Sequence, residues 1–306
     1  MPVDRRKVSI EPKSFVEYEQ AVRDSGAELS EFGSDVAALI WTDYARPDAL
    51  ADLLKANPQV EWVQLPFAGV DAFADILKHP VKFTSAKGSY REPVAEHALA
   101  LCLALARKLP ERVTAKSWGK KFAVSLYDSH IVIVGGGGIT EELLLLLAPF
   151  KTRVSVVRKH AVDLEGATET VGFDQLDDYL AMADFVILAA ALTDETLFLM
   201  DDRRFELMKP TAYLVNIARG KMVDQQALVR ALEGSVIAGA ATDVTYPEPL
   251  PDGHELWDAP NLIITPHTAD TNAQVIRLFC KRIDANVKAW LGESQWVGEV
   301  DPNLGY

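Results

Sequence analysis

Three residues in the carboxyl-terminal half have the chemistry to act together on a small acid. Arg219 follows the apolar run 212–216, Glu248 lies in the proline-flanked stretch after run 236–240, and His267 follows run 262–265. Arginine can grip a carboxylate with two parallel hydrogen bonds. Histidine exchanges protons near neutral pH, and a neighbouring carboxylate favours its imidazolium form. Each residue taken singly also fits a plain role as surface charge or satisfied polar group. Three ligand-type side chains at successive strand ends are better explained by one shared site.

A second constellation lies upstream. The run IVIVGGGGI at 131–139 is a buried strand that breaks into glycines before a helix, the place where a dinucleotide pyrophosphate meets backbone N–H groups. In the Gly-x-Gly-x-x-Gly register, Gly135 makes the tight turn, Gly137 lets the phosphates approach, and Gly138 and Ile139 open the helix. The third position is Thr140. About 20 residues past the glycines, where an NAD site places an acid for the ribose 2′-hydroxyl, stand Arg158 and Lys159, which suit a 2′-phosphate. A plain strand-to-helix turn and two solvated charges are the alternative readings.

These residues need a sheet to hold them. Strand-like runs at 130–134, 153–157, 184–190, 212–216, 236–240 and 262–265, with helices between, predict a six-stranded doubly wound sheet. Upstream, runs at 37–41, 60–65 and 81–84 alternate with helix-like stretches 47–56 and 72–77, a second parallel α/β unit. Segment 92–109 reads as one helix that is apolar on almost every face and crosses between the units, and 271–291 has the spacing of a helix. The expected fold is therefore α/β with two domains: a Rossmann-like nucleotide-binding domain over 94–268 and a flavodoxin-like substrate domain over 1–93 and 269–306.

The chain has 306 residues, 49% hydrophobic and 25% charged, with a formal charge of −13. That composition excludes disorder and small disulfide scaffolds. So acidic a surface repels nucleic acid and anionic membranes. No apolar run reaches the roughly 18 residues of a membrane span, and the amino terminus lacks a signal peptide's apolar core. Cys102 and Cys280 read as reduced core residues of a cytoplasmic protein. No histidine and cysteine spacing makes a metal site. His97 reads as a satisfied core residue of the crossing helix, His254 as a solvated loop residue, and Trp118 equally as an interface aromatic or as local core.

The chain resembles the D-isomer-specific 2-hydroxyacid dehydrogenases. The resemblance runs through FAGVD at 67–71, VAEHALALCLALAR from Val94, the glycine turn, LTDETLFLM from Leu192, MKPTAYLVNIARGKMVD from Met208, GAATDVTYPEPLP from Gly239 and NLIITPH from Asn261. It implies that Arg219 binds substrate, that Glu248 partners the acid/base His267, and that the Ala68–Gly69 backbone holds the substrate carboxylate in a cleft between domains. It further implies that Ala190, Ile217, Ala218 and Asp243 line the dinucleotide, with Asp243 on the nicotinamide amide. The expected reaction is hydride transfer between NAD(P)H, with NADP preferred, and a small 2-oxo acid.

From its length and the closing VDPNLGY the chain is expected to look more like the glyoxylate and hydroxypyruvate reductases than like phosphoglycerate dehydrogenases with a regulatory extension. Glu248 argues against formate dehydrogenase, which has an amide there. A homodimer formed through the nucleotide-binding domains is the implied assembly. Thr140, Leu144 in place of a small residue, and Ala191 in place of proline depart from the family pattern around the cofactor. The alternative readings are a dinucleotide-sensing binding protein on the same fold, similar to transcriptional corepressors, and, from Thr140 and Leu144, a degenerate homologue that no longer holds cofactor.

Overall fold

The computed structural model describes residues 6–301, so all but the first two residues of the closing VDPNLGY lie outside the described residues. The chain divides into two compact units, Met1–Tyr90 with Thr271–Tyr306, and Arg91–Asp270.

The first unit contains β1 (Lys7–Glu11), α1 (Val16–Asp24), β2 (Glu28–Leu29), β3 (Ala38–Trp41), α2 (Pro47–Ala56), β4 (Trp62–Gln64) and β5 (Lys82–Thr84). Its strands form one parallel sheet in the order β2-β1-β3-β4-β5. β3 and β4 are buried throughout, as strands covered on both faces must be. The helix expected over 72–77 is instead two 3-10 turns, Asp71–Phe73 and Ile76–Lys78. Phe73, Ile76 and Leu77 still enter the core with their helical spacing, but so short a segment does not nucleate an α-helix.

The second unit runs through α3 (Arg91–Ala106), α4 (Leu109–Thr114), β6 (His130–Val134), α5 (Gly138–Leu147), β7 (Arg153–Val157), β8 (Glu169–Val171), α6 (Leu176–Met182), β9 (Phe185–Leu188), α7 (Asp202–Leu207), β10 (Tyr213–Asn216), α8 (Gln225–Glu233), β11 (Gly239–Thr242) and β12 (Leu262–Ile264). The final helix, α9 (Asn272–Trp290), belongs to the first unit, where it packs on α1.

Seven parallel strands in the order β12-β11-β10-β9-β6-β7-β8 make a doubly wound sheet, one strand more than expected. The addition is the short edge strand β8, whose Glu-Thr-Val sequence lacks a buried run.

Other differences have local causes. The helix expected over 92–109 stops at Ala106, Lys108 takes φ +49, and Pro110 lies in the first turn of a separate helix, α4, because proline cannot donate inside a helix. α3 keeps its first turn from Arg91, so the unit boundary precedes the expected 93/94 division; the second falls after Asp270 rather than at 268/269. Val236, expected in a strand, closes α8: its N–H donates to the Ala231 carbonyl beyond Ser235 at φ +52, and β11 begins only at Gly239.

α3 packs Ala95, Ala98, Leu101, Cys102 and Leu105 into one core with Leu143, Leu144 and Leu147 of α5, on the strands that carry the site. Trp118 is 94% exposed, so it is not local core. Both cysteines are free thiols; Cys102 lies in the core as expected, whereas Cys280 on α9 is only half-buried. Among the described residues no helix is long and apolar enough to cross a membrane.

Candidate active site

Because every strand of the larger sheet is parallel, the loops after β6, β7, β9, β10, β11 and β12 open on one edge. The expected dinucleotide residues follow those strands. Gly135 has φ +115, and a Cβ there would lie 2.5 Å from the Ala189 carbonyl oxygen, so only glycine fits. Gly137 caps α5 and has nothing within 4 Å of its missing Cβ. Thr140, fully buried, donates its Oγ1 proton to the Gly135 carbonyl at 2.8 Å. A hydroxyl therefore closes the turn where the motif has its third glycine, and α5 still begins at Gly138.

Open space at Gly137 beside the first-turn N–H groups of Gly138 and Ile139 fits a pyrophosphate. Arg158 follows β7 with its side chain along the Gly136 backbone: a Cβ on Gly136 would meet its Cδ and Nε at 2.7 Å. Lys159 is paired with Glu195 at 3.3 Å. Ala190 is half-buried after β9, while Ile217 and Ala218 are buried after β10.

Arg219, Glu248 and His267 come from the ends of three adjacent strands, β10, β11 and β12. His267 Nδ1 lies 3.0 Å from a Glu248 carboxylate oxygen. That contact raises the imidazole pKa above its ordinary value, against partial desolvation of the half-exposed ring and the positive charge of Arg219. His267 has φ +51, a sparsely populated conformation held by its N–H, which donates to the Asp243 carbonyl at 2.8 Å and the Thr265 carbonyl at 3.0 Å.

Arg219 stands on a turn braced by buried Asn216, whose amide donates to the Arg219 carbonyl and accepts from the Ala218 N–H. Glu248 sits on a loop clamped by Gln225: the Gln225 amide donates to the Tyr246 carbonyl at 2.5 Å and accepts from the Tyr246 N–H at 2.8 Å. Asp243 is 2% exposed, and its carboxylate accepts from the backbone N–H groups of Thr268 and Ala269.

Three residues escaped the sequence reading as parts of this site. Asn216 and Gln225 act on backbone groups, which leave no pattern in side-chain types, and His97 is half-buried 3.0 Å from Thr265 Oγ1. His254 accepts at Nδ1 from the Leu256 N–H and so caps a 3-10 turn. Ala68 and Gly69 belong to the first unit, in the loop after β4; there Phe67 stacks on Tyr90 at 5.3 Å and the Tyr90 hydroxyl donates to the Pro66 carbonyl. No group of three or more metal-ligating side chains occurs among the described residues.

Residues 99–269 match the family model for the NAD binding domain of D-isomer specific 2-hydroxyacid dehydrogenases. The chain is 36% identical over 294 residues to a glyoxylate reductase of Pyrococcus furiosus, covering 90% of this chain and 84% of the relative. It is 37% identical over 255 residues to an uncharacterised protein from the proB 3′ region of Corynebacterium melassecola, covering 81% and 84%. Its fold is similar, at a TM-score of 0.84 and 24% identity over 98% of this chain and 99% of the other, to a D-isomer specific 2-hydroxyacid dehydrogenase from Xanthobacter autotrophicus solved with NADPH and MES.

Proposed function

We propose that this chain, which belongs to the D-isomer specific 2-hydroxyacid dehydrogenase family and is an NAD(P)-dependent oxidoreductase, reduces a small 2-oxo acid such as glyoxylate or hydroxypyruvate, with NADPH preferred. The observation that carries this reading is the Glu248–His267 pair at 3.0 Å, an acid/base group tuned toward its protonated form.

Gly135, Gly137, Gly138 and Ile139 would hold the pyrophosphate and Arg158 the 2′-phosphate, with Lys159 in reserve behind Glu195. Ala190, Ile217, Ala218 and Asp243 would line the rest of the dinucleotide. The bound nicotinamide supplies the hydride that reduces the carbonyl carbon. His267 donates its proton to the carbonyl oxygen as negative charge develops there, and in the reverse direction the neutral imidazole takes that proton back. Arg219 holds the carboxylate and polarises the carbonyl. Glu248 keeps the imidazole oriented and charged. The Ala68–Gly69 backbone as carboxylate holder is part of the same proposal.

Arg91–Asp270 is assigned to the dinucleotide and the first unit to the substrate. The protein would work in the cytoplasm as a homodimer in which exposed Trp118 meets the second copy. Glyoxylate, hydroxypyruvate, pyruvate and phenylpyruvate, each assayed with NADPH and NADH, test the reading. Turnover of glyoxylate or hydroxypyruvate with NADPH is expected; NADPH binding without turnover of any acid would favour the sensor reading instead.

A further inference from the structure

We propose that His97 is a positioning residue that reaches from α3 to lock the loop carrying His267, acting through Thr265 and Asp243. The proposal rests on the reading of His267 as the acid/base group. Asp243, at the end of β11, is almost completely buried, and a buried carboxylate has to be saturated with hydrogen bonds. Thr265 Oγ1 donates to Oδ1 at 2.5 Å, the Thr268 N–H to Oδ1 at 3.0 Å, and the Ala269 N–H to Oδ2 at 3.1 Å. All three donors flank His267.

A threonine hydroxyl has one proton, and Thr265 spends it on Asp243. The 3.0 Å contact between His97 Nε2 and Thr265 Oγ1 is therefore an Nε2–H donating to the hydroxyl oxygen. The same Nε2 lies 3.4 Å from Asp243 Oδ1. Burial alone would raise the Asp243 carboxyl, but hydrogen bonds from His97, Thr265 and the Thr268 N–H outweigh it and hold it below its ordinary value.

This network explains a choice that the backbone alone leaves open. His267 occupies a left-handed conformation that a non-glycine residue adopts only when its surroundings impose it. Asp243 imposes it from both ends, its carbonyl on the His267 N–H and its carboxylate on the next two N–H groups. His97 completes the network from a different layer of the unit, so the rigid α3 core sets where the imidazole points.

Without His97 the loop loosens and the Glu248 contact lengthens. The charged groups that act on His267 are Glu248 from the loop after β11, Asp243 at the end of β11, Arg219 after β10 and Asp270 in its own segment. Of these Glu248 has the largest effect, so loosening moves the His267 titration toward lower pH.

The test follows the His267 imidazole by NMR through a pH titration of the full chain, as wild type, His97→Phe, His97→Gln and Thr265→Val. The Phe and Val variants are expected to titrate lower than wild type, with kcat reduced on the order of tenfold by the misplaced proton donor. In the Gln variant an amide N–H reaches the same oxygen, and both values return toward wild type. Folded Phe and Val variants with a wild-type titration and kcat would overturn the proposal. A Gln variant as impaired as Phe would overturn the hydrogen-bond role. If His97→Phe fails to fold, the nearly isosteric Thr265→Val decides. Should the wild type reduce no acid tested, the proposed function fails, yet the titration still shows whether His97 positions His267.

Discussion

Gly220 and Thr245 lie backbone against backbone: a Cβ on Gly220 would stand 2.1 Å from the Thr245 carbonyl atoms. The contact ties the turn that carries Arg219 to the loop that carries Glu248, so in the proposed mechanism the substrate grip and the acid's partner would be set by one approach distance. Any side chain at Gly220 must force the two apart. Gly220→Ala is expected to lower kcat/KM by about two powers of ten, the cost of displacing reacting groups by about an ångström, and to destabilise the fold by roughly 1–3 kcal/mol through overpacking. Steady-state kinetics beside thermal unfolding checks it. A variant with unchanged kcat/KM would show that the loops move independently.

The Glu248 contact gives the reaction a pH signature of definite sign. The His267 pKa lies above its ordinary value, so if reduction uses the imidazolium as proposed, it is expected to stay fast below that raised pKa and to decline as pH rises through it. Oxidation shows the opposite limb. Stability runs the same way as reduction: the contribution of the pair is complete below the unfolded histidine pKa and is lost as pH rises through the folded one. Glu248→Gln removes the charge while keeping an acceptor, and its reduction limb is expected to shift to lower pH, with kcat at neutral pH reduced about tenfold or more. His267→Ala should cost on the order of 10² to 10⁴ in kcat at every pH. A Glu248→Gln profile superimposable on wild type would remove Glu248 from the proton transfer.

Arg158 and Lys159 are adjacent in sequence, but the structure separates their roles. Arg158 lies along the glycine turn, whereas the Lys159 ammonium is held by Glu195. A charge-assisted contact to a phosphate contributes about 1.5–3 kcal/mol, one to two powers of ten in affinity. Arg158→Asp is therefore expected to reverse the preference for NADPH over NADH, and Lys159→Ala to change it by no more than about threefold, within what one exposed ion pair contributes. Calorimetric titration of each variant with both cofactors measures this. Equal affinities of wild type for the two cofactors would contradict the assignment.

How far the sequence reveals this molecule depends on which chemical groups do the positioning. Strands such as β6 and β7 match the expected ranges residue for residue, because short runs dominated by valine and isoleucine between turns have few other uses. Arg219, Glu248 and His267 can be singled out as candidates because side-chain type and strand-end position coincide. Gln225 and Asn216 cannot be, since both bind backbone atoms that every sequence supplies. Thr140 shows the limit most clearly. As a letter it is a missing glycine and a bulky β-branched side chain, whereas in the fold its hydroxyl satisfies the Gly135 carbonyl and the helix starts where the motif requires. Nor could spacing show that a histidine on an apolar helix meets a threonine far along the chain, because that pairing exists only once the sheet has formed.

Gln225 offers a separable test of how Glu248 is held. Its amide both donates to and accepts from Tyr246, two residues before Glu248, as a neighbouring strand would. A carboxylate of the same shape can accept from the Tyr246 N–H but has no proton for the Tyr246 carbonyl, so Gln225→Glu opposes two oxygens where one hydrogen bond stood. Since both groups are near the surface, water can replace part of the loss, and the expected destabilisation is only about 0.5–1.5 kcal/mol. The effect on the reaction should be larger than the effect on stability, because Glu248 raises the His267 pKa only from the place this clamp gives it. Gln225→Glu is expected to lower kcat for reduction about threefold to tenfold, with the KM for cofactor unchanged, and to move the pH limb in the same direction as Glu248→Gln but less far. Gln225→Ala, which removes the clamp without adding charge, should do the same. If either variant loses stability while keeping the wild-type pH limb, Gln225 serves the fold of the loop and not the placement of Glu248.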